Sequence, residues 1–175
     1  MATNFAELFK IRSRELFEEF SDIEFRDVWR KDDKQAEADV IALWERMGVL
    51  PKGVNPNARA KEICVVAYKG SELVAVTTVT IEMLQVVRTK MAFIRALVAD
   101  SHRTQKILTP LACALHQAME RYALAHPELR IGGTAAVIAP PNTIYKPVGS
   151  AGMNLIGYTN KNEPVLLRWF DSYRF

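Results

Sequence analysis

The sequence is poor in cysteine and has no long hydrophobic run. Its two cysteines, Cys64 and Cys113, both lie within apolar segments, which excludes a disulfide framework and predicts buried, reduced thiols. No stretch approaches the roughly eighteen consecutive apolar residues of a membrane-spanning helix, so we expect no membrane span. The mixed polarity around Glu7 and Glu15 is not typical of a secretory signal. These absences predict a cytoplasmic protein without a metal site.

The sequence also lacks the strong basic excess of a nucleic-acid-binding protein. Its 23 lysines and arginines and 20 aspartates and glutamates give a formal net charge of +3, and no basic stripe with interleaved aromatic residues is visible. We therefore expect an anionic ligand or a peptide partner in preference to a nucleic acid. The apolar content of 49% in 175 residues is enough for one globular core.

The first segment of the chain predicts an amphipathic helix. Residues 3–20 carry apolar side chains at spacings of mostly three and four, namely Phe5, Leu8, Phe9, Leu16, Phe17 and Phe20. This apolar face would pack either on the chain's own core or on a partner, which includes a second copy of the chain in a homodimer. We treat 1–21 as a helical extension of a single domain, 1–175, whose core is 22–175.

The remaining chain alternates strands with helices, which predicts a mixed α/β (α+β) class. Period-two patterns and β-branched residues indicate strands in 24–30, 62–69, 72–87, 90–100, 130–139, 153–159 and 163–170. Helical periodicity and capping residues indicate helices in 32–50 and 109–127, with a loop and a short helical turn in 51–61. The strand at 90–100 is almost continuously apolar, so we expect it to be central and covered on both faces.

Residues 90–125 form the clearest unit, a strand, a basic turn and a long helix. The turn contains His102, Arg103 and Lys106 just before the helix begins. A helix N-terminus presents free backbone N–H groups and the positive end of the helix dipole, which favour an anion. The unit therefore predicts an anion-binding turn, although no glycine-rich phosphate motif is present. We expect His102 to be exposed, and His116 and His126, which belong to the helix, to be structural.

The order of elements and the segment LVADSHRTQKILTPL resemble the GNAT superfamily of N-acetyltransferases, over roughly residues 23 to 170. In that family a strand ending in Val leads through a turn of the form R-x-x-G-x-G/A into a helix with Leu in its first turn. The residues at matching spacings are Val98, Arg103, Ile107 and Leu111. The resemblance implies a mixed, mostly antiparallel sheet of six or seven strands flanked by helices.

The motif departs from the family at its two glycines, which are replaced by Lys106 and Leu108. Those glycines let the backbone approach the pyrophosphate of coenzyme A closely, and Lys106 would supply charge in their place. The resemblance implies acetyl-CoA as co-substrate. It would be bound by backbone N–H groups of the strand, by the turn and by a residue after the fifth strand, namely Leu97, Val98, Arg103, Thr104, Gln105, Lys106, Ile107, Leu108 and Asn142.

A second part of the resemblance lies downstream and has two alternative registers. If Tyr145 is aligned four residues before Gly149, it matches the family's general acid, which would reprotonate the departing thiolate of coenzyme A. If Gly152 and Met153 are aligned instead with the family's glycine-aromatic pair, which opens the sixth strand, Val148 takes the place of the general acid and no acid is present. We favour the register that makes Tyr145 the general acid.

The general base and Arg95 also have alternatives. The central strand has no carboxylate, which leaves Glu82 before it and Asp100 after it as candidate bases, with a chain of water molecules as a further choice. A charged residue in an apolar strand must be paired or face a wet cleft. Arg95 therefore either pairs with a buried carboxylate such as Glu82 or points into a groove, where it would bind an acidic substrate group or order a loop.

The resemblance implies transfer of an acetyl or other acyl group from acetyl-CoA to a primary amine of a protein or small molecule. The amine would attack directly, without a covalent enzyme intermediate. The alternative is a GNAT-fold protein with weak or lost catalysis that acts as a binding or assembly module, with the N-terminal helix as its docking element. Loss of both glycines favours the module, whereas Arg103 and the strand-to-helix spacing favour the enzyme.

Overall fold

The computed structural model describes residues 18–140, 142 and 151–174, with Thr104 and Gln105 described by their backbone alone. This part of the chain contains seven strands: β1 (Ile23–Asp27), β2 (Ile63–Lys69), β3 (Glu72–Leu84), β4 (Thr89–Val98), β5 (Ile131–Val137), β6 (Asn154–Tyr158) and β7 (Pro164–Trp169). It also contains three α-helices: α1 (Lys34–Met47), α2 (Pro56–Ala60) and α3 (Leu108–Ala125). Short 3-10 turns occupy Asp100–Gln105 and Pro127–Leu129. Each predicted strand and helix of the core is present.

The strands form one sheet in the order β1-β2-β3-β4-β5-β7-β6. Every neighbouring pair is antiparallel except β4 and β5, which are parallel because α3 returns the chain between them. A mixed, mostly antiparallel sheet is therefore confirmed, and β4 is central as predicted. The absence of a side chain at Gly133 lets β5 pack closely against β7, because a Cβ there would lie 2.2 Å from the carbonyl oxygen of Arg168.

The helices cover the two faces of the sheet. On one face α3 buries Leu111, Leu115 and Met119 against the strands. On the other face α1 buries Val40 and Leu43. Apolar residues spaced three and four apart along each helix explain why a single side of it faces the sheet.

Capping residues set the ends of the segment that joins α1 to α2. The Asp33 carboxylate accepts a hydrogen bond from the Ala36 N–H (3.0 Å) at the start of α1, and Gly48 ends that helix in the left-handed conformation (φ 61°). The Asn55 side chain accepts from the N–H of Asn57 (2.9 Å) at the start of α2. Both ends of the connecting loop are therefore held over the face of β3 and β4.

Two predicted features lie largely or wholly outside the described residues. Of the helix predicted for 3–20, only 18–20 are described, and Phe20 is buried in the core. Tyr145 also lies outside.

Cys64 and Cys113 are free and buried, as predicted, and burial raises the pKa of both thiols. None of the described helices is long and apolar enough to span a membrane.

Candidate functional site

The sheet opens between β4 and β5. Their pairing runs from Lys90 opposite Ile131 to Phe93 opposite Ala135, and then ends. β4 continues to Val98 and remains paired with β3 along this length. From Ile94 onward, one edge of β4 therefore has no neighbouring strand among the described residues. We call the last part of this stretch, Ala96 to Val98, the open edge.

The open edge exposes specific backbone N–H groups. The Ala99 N–H donates to the Val74 carbonyl on β3 (2.8 Å). Successive N–H groups of a strand alternate between its two neighbours, so the Leu97 N–H also faces β3. The N–H groups of Ala96 and Val98 therefore face the open edge. Of the two strand N–H groups predicted to bind acetyl-CoA, that of Val98 lies at this edge and that of Leu97 faces away from it, and the Ala96 N–H lies at the edge as well.

The opening also corrects the expected burial of β4. Met91 and Ala92, in the paired half of the strand, are fully buried, whereas Arg95 and Ala96 are exposed. Coverage on both faces was therefore a wrong prediction for the second half of β4. The divergence of β5 is the physical reason, because the side chains beyond Phe93 lose a neighbouring strand.

The basic turn after β4 keeps a glycine-like backbone at Lys106. Asp100–Gln105 forms a 3-10 turn, and Lys106 then adopts φ 52° and ψ 19°, the left-handed region that favours glycine. For a residue with a Cβ this conformation costs on the order of 1–2 kcal/mol. The turn is anchored by Ile107, whose side chain is buried in the core. Lys106 therefore adopts a backbone conformation that glycine usually takes, while adding a cation.

The side chains of the turn are mostly exposed at the start of α3. The Arg103 guanidinium forms an ion pair with Asp100 (Nε to Oδ1, 3.0 Å), and both side chains are largely exposed. No side chain of the described residues caps α3. Most N–H groups of its first turn already donate to backbone carbonyls, and Pro110 has none. Leu108 is 51% exposed at the first helical position. The turn thus combines two cations and a helix terminus with one apolar side chain.

His102 does not follow its prediction. The sequence predicted an exposed side chain, but His102 is buried, and its Nδ1 lies 2.8 Å from the Ser101 Oγ. The 3-10 turn explains the difference, because its hydrogen bond from the His102 N–H to the Ala99 carbonyl (2.9 Å) directs the residue inward. His102 therefore belongs to the support of the turn.

A cleft of about 660 Å³ lies between the α1–α2 segment and the sheet. Its walls are the end of α1, the following loop, α2 and the adjoining halves of β3 and β4, lined by Trp44, Val49, Leu50, Pro51, Val54, Asn55, Ala58, Arg59, Glu62, Val76, Thr78, Arg95, Ala96 and Leu97. Trp44 is buried and also forms part of this wall. The cleft and the open edge meet at Ala96.

Four polar side chains form a row across the cleft. The Arg59 guanidinium is ion-paired with the Glu62 carboxylate, and its Nη2 donates to the Thr78 Oγ1 (3.2 Å). Glu62 is held in place because its carbonyl accepts from the N–H of Val79 on β3 (2.8 Å). Thr78 lies directly opposite Arg95 in the β3–β4 pair. We call Arg95, Thr78, Arg59 and Glu62 the polar row.

The structure decides between the two alternatives for Arg95. Its side chain is exposed and lines the cleft, and it forms no ion pair with any residue that the structure describes. Glu82 lies opposite Met91, four residues along the strand from Arg95, which is roughly 13 Å at the usual strand rise. Arg95 therefore faces the cleft, and its binding of a substrate group stays a prediction.

The remaining predicted residues lie apart from the polar row. Glu82 is exposed and accepts a hydrogen bond from the Thr80 hydroxyl (2.7 Å), and Asp100 is paired with Arg103. Asn142 is exposed after β5, where its Nδ2 donates to the Ala139 carbonyl (3.3 Å). Within the described ranges no cluster of His, Cys, Asp and Glu could hold a metal ion. The roles predicted for Glu82, Asn142 and Tyr145 stay predictions.

Sequence reasoning missed Arg59, which lies in the segment read as a loop with a short helical turn, and Glu62, which was read as the start of the strand 62–69. Their one local signal is a spacing of three residues with opposite charge, which is common on exposed helical turns and carries no functional meaning by itself. Contact with Thr78, nineteen residues further along the chain, gives the pair its place in the cleft.

No protein-family model matches the sequence, and no curated protein is similar to it. Solved structures do match. An acetyltransferase of the GNAT family from Streptococcus pneumoniae is 10% identical and covers 85% of this chain and 99% of its own, with a TM-score of 0.52. The diaminobutyrate acetyltransferase EctA from Paenibacillus lautus, solved with L-2,4-diaminobutyric acid and coenzyme A, is 15% identical, covers 83% and 93%, and has a TM-score of 0.50.

A third similar structure is a mutant of the toxin AtaT, bound to the C-terminus of the antitoxin AtaR and to acetyl-CoA. It is 14% identical and covers 85% of this chain and 93% of its own, with a TM-score of 0.52. These three matches cover 83–85% of this chain and 93–99% of the matched chains. The chain therefore has the fold of the GNAT superfamily of acetyltransferases.

Proposed function

We propose that the protein is an N-acetyltransferase that binds acetyl-CoA along the open edge of β4 and transfers the acetyl group to a primary amine held in the cleft. The observation that carries this proposal is the meeting of the two features at Ala96, which presents its N–H to the open edge and also lines the cleft. Solved GNAT structures that contain coenzyme A or acetyl-CoA support this choice of co-substrate.

Acetyl-CoA would extend from the turn to the open edge. The pyrophosphate would be bound at the start of α3 by Arg103 and Lys106, where two cations and the positive end of the helix dipole favour an anion. The amide groups and thioester of the pantetheine arm would hydrogen-bond the N–H groups of Ala96 and Val98. An N–H group directed at the thioester oxygen stabilises the negative charge that develops there during attack.

The reaction needs no covalent enzyme intermediate. The amine nitrogen attacks the thioester carbonyl carbon, a C–N bond forms, and the C–S bond then breaks to release the thiolate of coenzyme A. The proton lost by the attacking nitrogen goes to the Glu62 carboxylate, which lines the cleft. The thiolate takes a proton from Tyr145, the predicted general acid. Holding both reactants together supplies much of the rate enhancement.

Thermal unfolding with acetyl-CoA tests the proposal. A ligand present at about 100 times its Kd stabilises the folded state by about 2.7 kcal/mol, which is roughly 5–11 °C in Tm for a chain of this size. We expect a shift of this order with acetyl-CoA and none with NAD⁺, an anionic dinucleotide of a different shape. The absence of any shift at millimolar acetyl-CoA would overturn the proposal.

A binding or assembly module is the second candidate function. Leu108 favours it, because an exposed branched side chain stands at the first turn of α3 where the coenzyme would approach. Release of free thiol from acetyl-CoA over a panel of primary amines separates the two functions. Thiol release that depends on the amine supports the enzyme, whereas acetyl-CoA binding without release supports the module.

The ion pair in the turn leads to a paired prediction. Replacing Arg103 with alanine is expected to weaken acetyl-CoA binding by about 1.5–3 kcal/mol, the usual range for a hydrogen bond to a charged group. Asp100→Asn should tighten binding, because it releases the guanidinium from its present partner at 3.0 Å. Isothermal titration calorimetry measures both changes.

Arg121→Ala is the matched control for the turn. Arg121 is also exposed and ion-paired on α3, with Asp27 at 3.1 Å, but it lies several helical turns away from the helix start. Its removal should leave the affinity for acetyl-CoA unchanged. Equal affinities for the wild type and Arg103→Ala would show that the turn does not bind the coenzyme.

A further inference from the structure

The cleft carries one positive charge that no described residue neutralises. Arg59 and Glu62 are paired with one another and cancel, whereas Arg95 lines the same cleft without a carboxylate partner in the described part of the chain. A concave, largely apolar site with one unpaired cation attracts ligands of the opposite sign. The guanidinium also offers two parallel N–H groups, which match the oxygens of a carboxylate or a phosphate.

Thr78 supplies a second donor beside Arg95. The two residues are directly opposite one another on β3 and β4. The Thr78 Oγ1 already accepts from the Arg59 Nη2 at 3.2 Å, and a hydroxyl that accepts can still donate its own hydrogen. An oxyanion in the cleft would therefore meet a guanidinium and a hydroxyl together, with Arg59 keeping the hydroxyl oriented.

The position of this pair relative to the open edge limits the shape of the ligand. Arg95 comes one residue before Ala96 and three before Val98, which corresponds to roughly 3–10 Å along the strand. An anion at Arg95 would therefore leave a flexible amine of a few bonds' length within reach of a thioester at the open edge. The cleft volume of about 660 Å³ suits a small molecule, since such sites are usually about 300–1,000 Å³.

We infer that the acceptor is a small amine that also carries a carboxylate or phosphate group, and that Arg95 with Thr78 binds this anionic group and so selects the substrate. This substrate class rests on the proposed function, because it requires acetyl transfer at the same cleft. Glu62 lines the same cleft and would accept the proton of the amine.

A matched substrate series tests the inference. Acetyl transfer is measured with linear ω-amino acids from glycine to 6-aminohexanoic acid, and with alkylamines of equal chain length that lack the carboxylate. O-phosphoethanolamine and ethanolamine form the corresponding phosphate pair. For the wild type we expect kcat/KM to be at least tenfold higher for the anionic member of a pair than for its counterpart without the anion, at the best chain length. The pair that shows this difference tells whether the anion is a carboxylate or a phosphate.

Variants of Arg95 separate anion binding from a general loss of activity. Arg95→Gln should lower kcat/KM for the anionic acceptors by about 10- to 150-fold, the range for losing a charged hydrogen bond. Activity with the alkylamines should stay within about twofold. Arg95→Lys should recover part of the loss, because it keeps the charge without the paired N–H groups. Lys90→Gln is the control, an exposed cation on the same strand at the end remote from the cleft.

Three results would overturn the inference. Equal kcat/KM values of the wild type for alkylamines and for anionic acceptors would do so. An Arg95→Gln variant that loses activity equally with both classes of acceptor would also do so. In either case the acetyltransferase would stand with another acceptor. Binding of acetyl-CoA without transfer to any anionic amine is the third. Failure to bind acetyl-CoA at all, measured first by thermal unfolding, would overturn the proposed function itself.

Discussion

Replacing Glu62 with glutamine is expected to lower the rate of acetyl transfer by about 10²- to 10⁴-fold, the usual contribution of a positioned proton acceptor. Glu62 lines the cleft and is held by Arg59 and by its backbone hydrogen bond to Val79. Glutamine has nearly the same shape but cannot accept the proton of the attacking amine. Steady-state kinetics with the best acceptor of the substrate series measures the change.

The effect of the Glu62 variant on pH dependence distinguishes catalysis from support of the cleft. At high pH hydroxide can take the proton of the attacking nitrogen in place of Glu62, so the deficit of Glu62→Gln should shrink as the pH rises. A purely structural role, such as neutralising Arg59, would leave the deficit constant with pH. The free energy of unfolding of the variant, measured alongside, shows whether loss of the Arg59 pair has destabilised the fold.

Glu82→Gln is the matched control for Glu62→Gln. Glu82 was one of the candidate general bases predicted from the sequence. It is an exposed carboxylate near the end of β3 that lies away from the cleft. Its replacement should leave the rate within about twofold, because surface substitutions away from a site have small effects. A large loss with Glu82→Gln and none with Glu62→Gln would reverse the assignment and restore the sequence-based prediction.

His116 is expected to make the protein lose stability as the pH falls below 6.5. The side chain is buried in α3, where its Nδ1 lies 2.9 Å from the Thr134 Oγ1, and its Nε2 has no hydrogen-bond partner among the described residues. Burial, with a smaller contribution from the positive charge of Arg168, lowers the pKa of His116 from 6.5 to about 3. Its neutral form is therefore the folded form.

The direction of the pH effect follows from proton binding. Below pH 6.5 the unfolded chain binds a proton at this histidine that the folded chain does not bind until about pH 3, so lowering the pH within this window favours unfolding. Two pH units at 1.36 kcal/mol each give a loss of about 2.7 kcal/mol between pH 6.5 and 4.5. Above pH 6.5 both states are neutral and the contribution disappears.

Denaturant unfolding at pH 7 and pH 4.5 measures this loss. The free energy of unfolding of the wild type should fall by about 2.7 kcal/mol more than that of His116→Gln over this interval, because the two proteins share all other titrating groups. His126→Gln serves as the control, since His126 is exposed beside Glu128 at the end of α3. Equal pH dependence in the wild type and in His116→Gln would mean that His116 is not held neutral by the fold.

The secondary structure of the core was predictable because local patterns report burial. The alternation of apolar residues indicated the strands, and Asp33 and Gly48 marked the ends of α1 as capping residues do. The strand, turn and helix of 90–125 appear as β4, a 3-10 turn and α3. The periods of two and 3.6 residues arise from the geometry of each element, so a single sequence is enough to reveal them.

The candidate site was predictable only in part. Arg103 and Lys106 were recognisable because a short motif contains them, but the left-handed backbone of Lys106 was not, since lysine rarely adopts it. Arg59 and Glu62 were missed because their role depends on Thr78, a neighbour in space that is distant in sequence. The burial of His102 likewise depends on how the 3-10 turn folds against the core.

The sequence by itself determined the order of strands and helices, the basic turn before α3 and the two departures from the glycine pattern, because each is a property of neighbouring residues. Only the tertiary structure decided that β4 and β5 part after Phe93, that Arg95 faces a cleft, and that Glu62 lies in the same cleft. These features depend on strand pairing and on contacts between distant segments. Their energies are set by the folded arrangement, which local patterns do not encode.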